Sequence, residues 1–124
     1  MANELSHTLG EPIVRRRGDT APDVFLCVGE DGNVPADFAS RSYVLTVNTH
    51  AAPDPSRGIG TELLQVSGTL ADIPTGRVEF PPTTDDVDQD PGVYFYDVQQ
   101  TDAASKKKTV AQNTYTFVQD QTKT

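Results

Sequence analysis

Short stretches in which apolar and polar residues alternate recur along most of the chain, separated by turn-forming residues. Alternation places successive side chains on opposite faces, which is typical of β-strands. The stretch from Arg41 to Asn48 is the clearest case, because Tyr43, Leu45 and Val47 share one face. No segment has the 3.6-residue periodicity of an amphipathic helix. The pattern predicts seven strands: Ile13–Arg17, Val24–Val28, Arg41–Asn48, Leu63–Ala71, Arg77–Phe80, Val93–Thr101 and Lys108–Val118.

The number and spacing of these strands predict an all-β fold in one domain. Seven short strands in about 105 residues are typical of a sandwich of two antiparallel sheets. The expected core residues include Leu64, Val66 and Leu70 on the fourth strand, Val78 and Phe80 on the fifth, and Tyr115 and Phe117 on the last. We divide the chain into an extended N-terminal arm, residues 1–12, a sandwich, residues 13–118, and a C-terminal tail, residues 119–124.

Composition and charge narrow the range of partners. The 124-residue chain carries a formal net charge of −8. Nucleic acid and anionic membranes attract basic proteins, so we expect neither as a partner.

No apolar run approaches the roughly 20 residues that span a bilayer, and residues 1–11 lack the pattern of a signal peptide. Cys27 is the single cysteine, so the core must be stable without an internal disulfide.

A corner motif, Asp-Pro-Gly-Val-Tyr-Phe-Tyr-Asp-Val, runs from Asp90 to Val98. It resembles the corner before the F strand of immunoglobulin-like domains, where a tyrosine hydroxyl bonds back to the corner backbone. The resemblance implies a structural corner of Asp90, Gly92 and Tyr94, with Tyr94 as its tyrosine. Tyr96 would occupy the place of the second cysteine of antibody domains. It therefore implies an immunoglobulin-like sandwich of the kind that has no disulfide.

A longer series of motifs resembles the N-terminal domain family of phage baseplate upper proteins. The series is Arg17-Gly18-Asp19-Thr20, the apolar run Val24–Val28, Asp31-Gly32-Asn33, Asp37-Phe38, the alternating run Tyr43–Val47, Gly76-Arg77-Val78 and the closing hairpin Pro91–Tyr96. Its order and spacing hold from Arg17 to about Val118. Ala21-Pro22-Asp23 departs from the pattern, since proline cannot donate to a strand ladder. The loop from Thr49 to Gly60 is also longer than usual.

The resemblance implies a virion structural protein, assembled in the cytoplasm of the host bacterium. It would fix a tail tip, baseplate or fibre to other virion proteins. We expect a symmetric homo-oligomer, such as a trimer or a ring, whose contacts lie on the arm and on the loop from Thr49 to Gly60. The candidate contact residues are Leu5, Leu9, Ile13, Arg15, Arg16 and Ile59.

Two other functions stay open. A capsid decoration protein fits the same features, because immunoglobulin-like modules serve at the head as well as at the tail. A carbohydrate- or host-surface-binding module is the alternative from another class. Sugar sites usually expose aromatic side chains, whereas this chain has no tryptophan and places its tyrosines on strands.

The residues that carry most enzyme chemistry are few and scattered. His7 and His50 are the only histidines, and neither has a metal-binding partner at a suitable spacing. Cys27 lies in an apolar strand, where a cysteine packs as a small hydrophobic residue. No short catalytic signature is present. We therefore expect no enzymatic activity and no cofactor.

The acidic cluster before the corner is the one candidate for a metal. Asp86, Asp88 and Asp90 alternate as the ligands of a calcium loop do. An EF-hand loop, however, needs glycine at its sixth position, where Pro91 lies here. A solvated loop is the favoured interpretation, and calcium is the weaker alternative.

The tripeptide Arg17-Gly18-Asp19 is the sequence that integrins recognise. It also falls where the strand pattern requires a turn. A glycine tolerates positive φ and an aspartate can accept backbone hydrogen bonds, so we interpret it as a turn.

Overall fold

Eight strands of four or more residues and one two-residue strand form the described part of the chain. The structure, a computed structural model, describes residues 3–4, 12–27, 33–50, 57–58 and 60–119. The strands are β1 (Asn3–Glu4), β2 (Ile13–Arg16), β3 (Asp23–Leu26), β4 (Ser42–Asn48), β5 (Glu62–Ser67), β6 (Thr69–Asp72), β7 (Arg77–Phe80), β8 (Gly92–Thr101) and β9 (Lys107–Val118). A 3-10 turn, Phe38–Ser40, precedes β4. Within the described ranges no helix is long and apolar enough to cross a membrane.

The strands form two sheets, as predicted. One sheet has the order β1-β3-β7-β6 and the other has the order β2-β9-β8-β4-β5. The pairs β1–β3 and β2–β9 are parallel, whereas the other described pairs are antiparallel. The expectation of wholly antiparallel sheets is therefore wrong at these two pairs. Parallel neighbours cannot be joined by a tight hairpin, and the strands of both pairs are separated by long stretches of chain.

The core fills the space between the sheets. The inner face of β4 supplies Tyr43, Leu45 and Val47, which are almost fully buried, and this confirms the predicted alternation. Phe25 of β3 packs edge-to-face on Phe80 of β7, with ring centroids 5.4 Å apart. Other predicted core residues are confirmed in the same cluster: Leu64, Val66, Val78, Tyr115 and Phe117. Cys27 is buried and free.

The predicted single strand from Leu63 to Ala71 is wrong, because the chain changes sheets at Gly68. β5 pairs with β4 in the five-stranded sheet, whereas β6 pairs with β7 in the other sheet. A Cβ atom at Gly68 would lie 2.9 Å from Phe80 Cε1 and 2.9 Å from Val78 Cγ1. A close-packed core has no room for that atom, so glycine lets the backbone cross between the sheets. Leu70 then lies half-buried on the second sheet, and the expected seven strands become eight.

Gly68→Ala is expected to destabilise the fold by about 1–3 kcal/mol, the usual cost of overpacking a filled core. Urea unfolding followed by circular dichroism measures the free energy of unfolding. Ser67→Ala is the matched control, because Ser67 is exposed and its change should cost less than about 0.5 kcal/mol. Equal effects of the two substitutions would mean that the space above Gly68 is not filled.

Candidate docking surface

A buried polar network joins the two sheets. Arg15 of β2 points inward and is 5% exposed. Its Nη2 lies 2.8 Å from Oδ1 of Asp23, on β3 of the opposite sheet. Its Nε donates to the Tyr115 hydroxyl at 2.8 Å, and that hydroxyl donates to Asp23 Oδ2 at 2.6 Å. Its Nη1 donates to the Asp19 carbonyl at 2.6 Å. The network therefore cross-links β2, β3 and β9.

Burial and pairing act in opposite directions on the charges of this network. Burial lowers the pKa of Arg15, but attraction to Asp23 and the bonds with Tyr115 outweigh it, so the net pKa is raised. Burial raises the pKa of Asp23, which makes this carboxyl less acidic than its two bonds alone would make it. Burial also raises the pKa of Tyr115, which keeps its hydroxyl protonated as a donor. Loss of one partner would leave a buried charge uncompensated.

The alternation of β2 corrects two of the predicted contact residues. Ile13 lies in the core and Arg15 lies in the network, so neither side chain is at the surface. Val14 and Arg16 point outward instead, and Arg16 stays a candidate contact. The remaining candidates, Leu5, Leu9 and Ile59, lie outside the described residues.

A second polar cluster surrounds the buried Cys27. The Tyr43 hydroxyl lies 3.2 Å from Cys27 Sγ and donates to Gln100 Oε1 at 3.0 Å. Arg41 donates to the same Gln100 oxygen at 3.1 Å and pairs with Asp37 at 2.8 Å. Burial raises the pKa of Tyr43. The thiol is thus enclosed by side chains of the protein's own interior.

The corner residues lie where β8 begins. The Tyr94 hydroxyl donates to the Asp90 carbonyl at 2.8 Å, and Gly92 is the first residue of β8. The Tyr94 ring packs edge-to-face on Phe117, with centroids 5.9 Å apart, and Tyr96 is buried. The hydroxyl bond therefore closes the corner onto the strand that follows it.

The three calcium candidates are held by different partners. Asp86 Oδ2 accepts the Thr83 N–H at 2.9 Å, and the Asp86 N–H donates to Thr83 Oγ1 at 3.2 Å. Asp88 pairs with Arg17 at 2.9 Å, and Asp90 contributes its carbonyl to the corner. Among the residues that the structure describes, no three His, Cys, Asp or Glu side chains are grouped so that they could hold a metal ion.

The tripeptide Arg17-Gly18-Asp19 forms the predicted turn after β2. Gly18 has a φ of +86°, and the Asp19 N–H donates to the Arg16 carbonyl at 3.0 Å. Asp19 Oδ1 accepts the Ala21 N–H at 2.9 Å. The Gly18 N–H donates to the carbonyl of Val87, whose side chain is fully buried. The turn thereby fixes the acidic loop against the core.

The outward residues of the five-stranded sheet form one surface, which we call the outer face. Its members are Val14 and Arg16 of β2; Lys107, Thr109, Gln112, Thr114, Thr116 and Val118 of β9; Val93, Phe95, Asp97, Gln99 and Thr101 of β8; Ser42, Val44, Thr46 and Asn48 of β4; and Glu62, Gln65 and Ser67 of β5. The charged members are Arg16, Lys107, Asp97 and Glu62. Val14 is 68% exposed and Val93 is 59% exposed, and both lie beside Thr116 in the strand register.

The outward surface of the four-stranded sheet is different. There, Arg77 and Glu79 of β7 form an ion pair at 2.7 Å, and the exposed Thr69 of β6 lies beside Glu79. Covering charged groups with another protein costs hydration free energy, whereas covering exposed valines is favourable. The exposed valines make the outer face a candidate docking surface.

Asp97 lies on the central strand of the outer face. Its register neighbours are Thr46 on β4 and Gln112 on β9, both uncharged. No described residue gives its carboxylate a hydrogen bond or an ion pair. Burial raises its pKa. The sequence pattern missed this residue, because an aspartate within a strand is notable only once its neighbours are known.

The fold and the surface define an all-β module of two sheets with exposed valines on one sheet face. The chain is similar in structure to the N-terminal domain of phage TP901-1 ORF48, with a TM-score of 0.56 and 12% sequence identity. The likeness covers 94% of this chain and 93% of that chain. At this identity the likeness shows the fold alone. No protein-family model and no curated protein matches the sequence.

Tyr115→Phe is expected to cost about 2–3 kcal/mol, because it leaves the buried Arg15 and Asp23 each short of one hydrogen-bond partner. Tyr94→Phe is the matched control, since it deletes the same hydroxyl from a corner bond near the surface. That change should cost about 1 kcal/mol or less. Urea unfolding of the two variants measures both losses. Equal losses would contradict a special role for the buried network.

Asp97→Asn is expected to raise the Tm of the chain at about pH 7 and to change it little at about pH 4. Burial raises the folded-state pKa of Asp97 above its unfolded value. The folded state therefore favours the protonated carboxyl, and stability falls as the pH rises through the folded-state pKa. Asparagine has nearly the same shape and does not ionise. Thermal unfolding of both chains across this pH range measures the difference in Tm.

The control for this measurement is Asp85→Asn, which neutralises an exposed carboxylate of the acidic loop. It removes the same charge from the chain without relieving any burial. Its gain in Tm at neutral pH should be smaller than that of Asp97→Asn. A gain of the same size at both positions would show that net charge, and not burial of Asp97, sets the pH dependence.

Proposed function

We propose that this chain is a structural protein of a bacteriophage virion, a non-enzymatic attachment module at the tail tip, baseplate or fibre junction. The observation that carries the proposal is the likeness in fold to a phage protein domain, which extends over nearly the whole chain. The series of motifs from Arg17 to Val118 supports it separately, because the series resembles the baseplate upper protein family over the same span.

We propose further that the sandwich is immunoglobulin-like. Constant-type immunoglobulin domains have strands A, B, E and D in one sheet and C, F and G in the other. Here β1-β3-β7-β6 matches the first set, and β4-β8-β9 matches the second, with β5 added beside β4. The bond from Tyr94 to the Asp90 carbonyl supports the same assignment. β1 departs from it, because β1 runs parallel to β3.

The proposed mechanism is the presentation of a fixed surface to other virion proteins. The network of Arg15, Asp23 and Tyr115 ties the sheets together, so the outer face needs little rearrangement on binding. Burial of Val14 and Val93 would supply hydrophobic free energy, at about 25 cal/mol per Å² of apolar surface. The net charge of −8 disfavours nucleic acid and anionic membranes as partners.

The N-terminal arm and the loop from Thr49 to Gly60 are proposed as further contacts. Leu5 and Leu9 would contribute from the arm, and Ile59 from the loop. Arg16 adjoins the arm at the beginning of the sandwich, where it is exposed. Arginine is enriched at protein interfaces, which supports its place in this set.

A capsid decoration protein is the second proposal within the virion, since the same surface would suit a capsid. A carbohydrate-binding module is less well supported. The chain has 4 tyrosines and 5 phenylalanines, and seven of these rings are buried in the core. The other two, Tyr94 and Phe95, are half-buried on opposite sides of β8, so they form no common stacking platform for a sugar.

An epitope-tagged version of the chain is expected in purified virions of the phage that encodes it. Immunogold label should then lie at the tail tip in electron micrographs. Untagged virions are the control for label specificity. Label over the head would instead support the decoration role. Virions that lack the chain, combined with specific binding of the purified chain to a glycan array, would contradict both virion roles.

A further inference from the structure

Strand β9 is longer than the strand that lies on its outer side. It has 12 residues, whereas β2 has 4 and pairs only with the end of β9, from Tyr115 to Val118. On its other side β9 is accompanied by β8 along almost its whole length. Within the described ranges no strand lies beside residues 107–114 on the β2 side. We call this stretch of backbone the open edge.

The register shows which backbone groups the open edge presents. The Arg17 N–H donates to the Val118 carbonyl at 2.9 Å, so Val118 directs its carbonyl toward β2. Backbone groups alternate sides along a strand, and the pairing with β8 is regular over this half of β9. Gln112 therefore directs its N–H and C=O into the open edge. Thr114 faces the same way, but its N–H already donates to Asn113 Oδ1 at 2.7 Å.

Three lysines lie at the far end of the open edge. Lys106 precedes β9, and Lys107 and Lys108 are its first two residues. All three are exposed, and no described residue forms an ion pair with any of them. Their register neighbours on β8, Thr101 and Gln100, are uncharged. This end of the open edge is therefore locally positive, although the chain as a whole has a net charge of −8.

Lysines at the edge of a sheet usually prevent unwanted pairing with other strands. They repel basic segments and disfavour apolar ones, but the same charges attract a segment that carries carboxylates. The acidic group nearest to them in sequence, the Asp102 carboxylate, accepts the N–H groups of Ala104 and Lys106 at 2.9 and 3.0 Å. It is thus engaged in closing the hairpin. The lysines select among incoming strands and do not close the edge to all of them.

We propose that the open edge binds an extended, acidic segment of a partner protein, which pairs with residues 107–112 as an added strand in line with β2. Main-chain hydrogen bonds supply the affinity in strand addition of this kind, and side chains supply the specificity. The segment runs antiparallel to β9, the slightly more stable arrangement, so its acidic carboxyl-terminal end lies beside the lysines. The interface uses the edge of the sheet and not the outer face, and it does not rest on the proposed virion role.

Isothermal titration calorimetry of the full chain with the peptide acetyl-Thr-Val-Thr-Val-Thr-Glu-Asp-Glu-amide tests the charge requirement. The expected Kd is about 100 µM or lower. A matched peptide, with lysine in place of its three acidic residues, is expected to bind at least about tenfold more weakly. In the double variant with Lys107→Glu and Lys108→Glu, the preference between the two peptides is expected to reverse.

A second pair of variants tests the backbone requirement. Gln112→Pro removes the N–H that faces the open edge, at a position where the ladder with β8 does not use it. It is expected to raise the Kd of the acidic peptide about tenfold. Gln112→Ala keeps this N–H and is the matched control, with a Kd within about twofold of the parent value. Circular dichroism and the Tm establish that both variants are folded.

Methylation of the peptide's own N–H groups tests strand addition without any change in the protein. Methyl groups on one set of alternate residues are expected to abolish binding, because those N–H groups face β9. Methyl groups on the other set face away and should be tolerated. Hydrogen exchange followed by NMR then locates the peptide: the Gln112 N–H is expected to exchange rapidly in the free chain and at least about tenfold more slowly at saturation.

Binding that depends on charge, is weakened by Gln112→Pro and is abolished by one set of methyl groups supports the proposal. Absence of binding up to about 1 mM peptide overturns it, and so do equal losses from Gln112→Ala and Gln112→Pro. Slow exchange of the Gln112 N–H in the free chain overturns it as well, because another part of the chain would then already cover the edge. Each of these failures leaves the virion role intact, since labelled virions test that role separately.

Discussion

The buried ion pair between Arg15 and Asp23 joins the two sheets of the sandwich. The two residues belong to different sheets, and the hydroxyl of Tyr115 completes the network from a third strand. A charge removed from water is tolerated only where all its partners are in place. The pair therefore specifies the position of β2 against β9, and of both sheets against each other, more than it adds net stability.

The direction of Arg15 also decides what the protein presents to its surroundings. Side chains on a strand alternate, so an inward Arg15 requires an outward Val14 and an outward Arg16. A register shift of one residue would bury Val14 and expose the arginine. The interior network and the outer face are thus two consequences of one register.

Much of the fold follows from local pattern. The alternation of β4 and the aromatic and β-branched residues of β8 and β9 identify strands because a half-buried strand needs them. The change of sheet at Gly68 does not follow, since the reason for a glycine there is the space taken by Phe80 and Val78. The burial of Val87 does not follow from local pattern either, because this valine lies among exposed aspartates in the sequence.

The surface was less predictable than the fold. The sequence has a run of three arginines, Arg15 to Arg17, and such a run is expected to lie in solvent. Arg15 is buried because Asp23 lies opposite it in the fold. The corner motif was recognisable because its residues are adjacent in sequence. The outer face was not, since it combines side chains from five strands that are distant along the chain and become neighbours only in the sheet.

In the role that we propose, this domain is a rigid module whose outer face is covered in its working assembly. A cryo-EM reconstruction of the intact virion, at a resolution that shows side chains, tests that role. We predict that protein covers the outer face and excludes solvent from Val14 and Val93. A domain that contacts its neighbours through the four-stranded sheet, with the outer face open to solvent, would contradict the proposed role of the outer face.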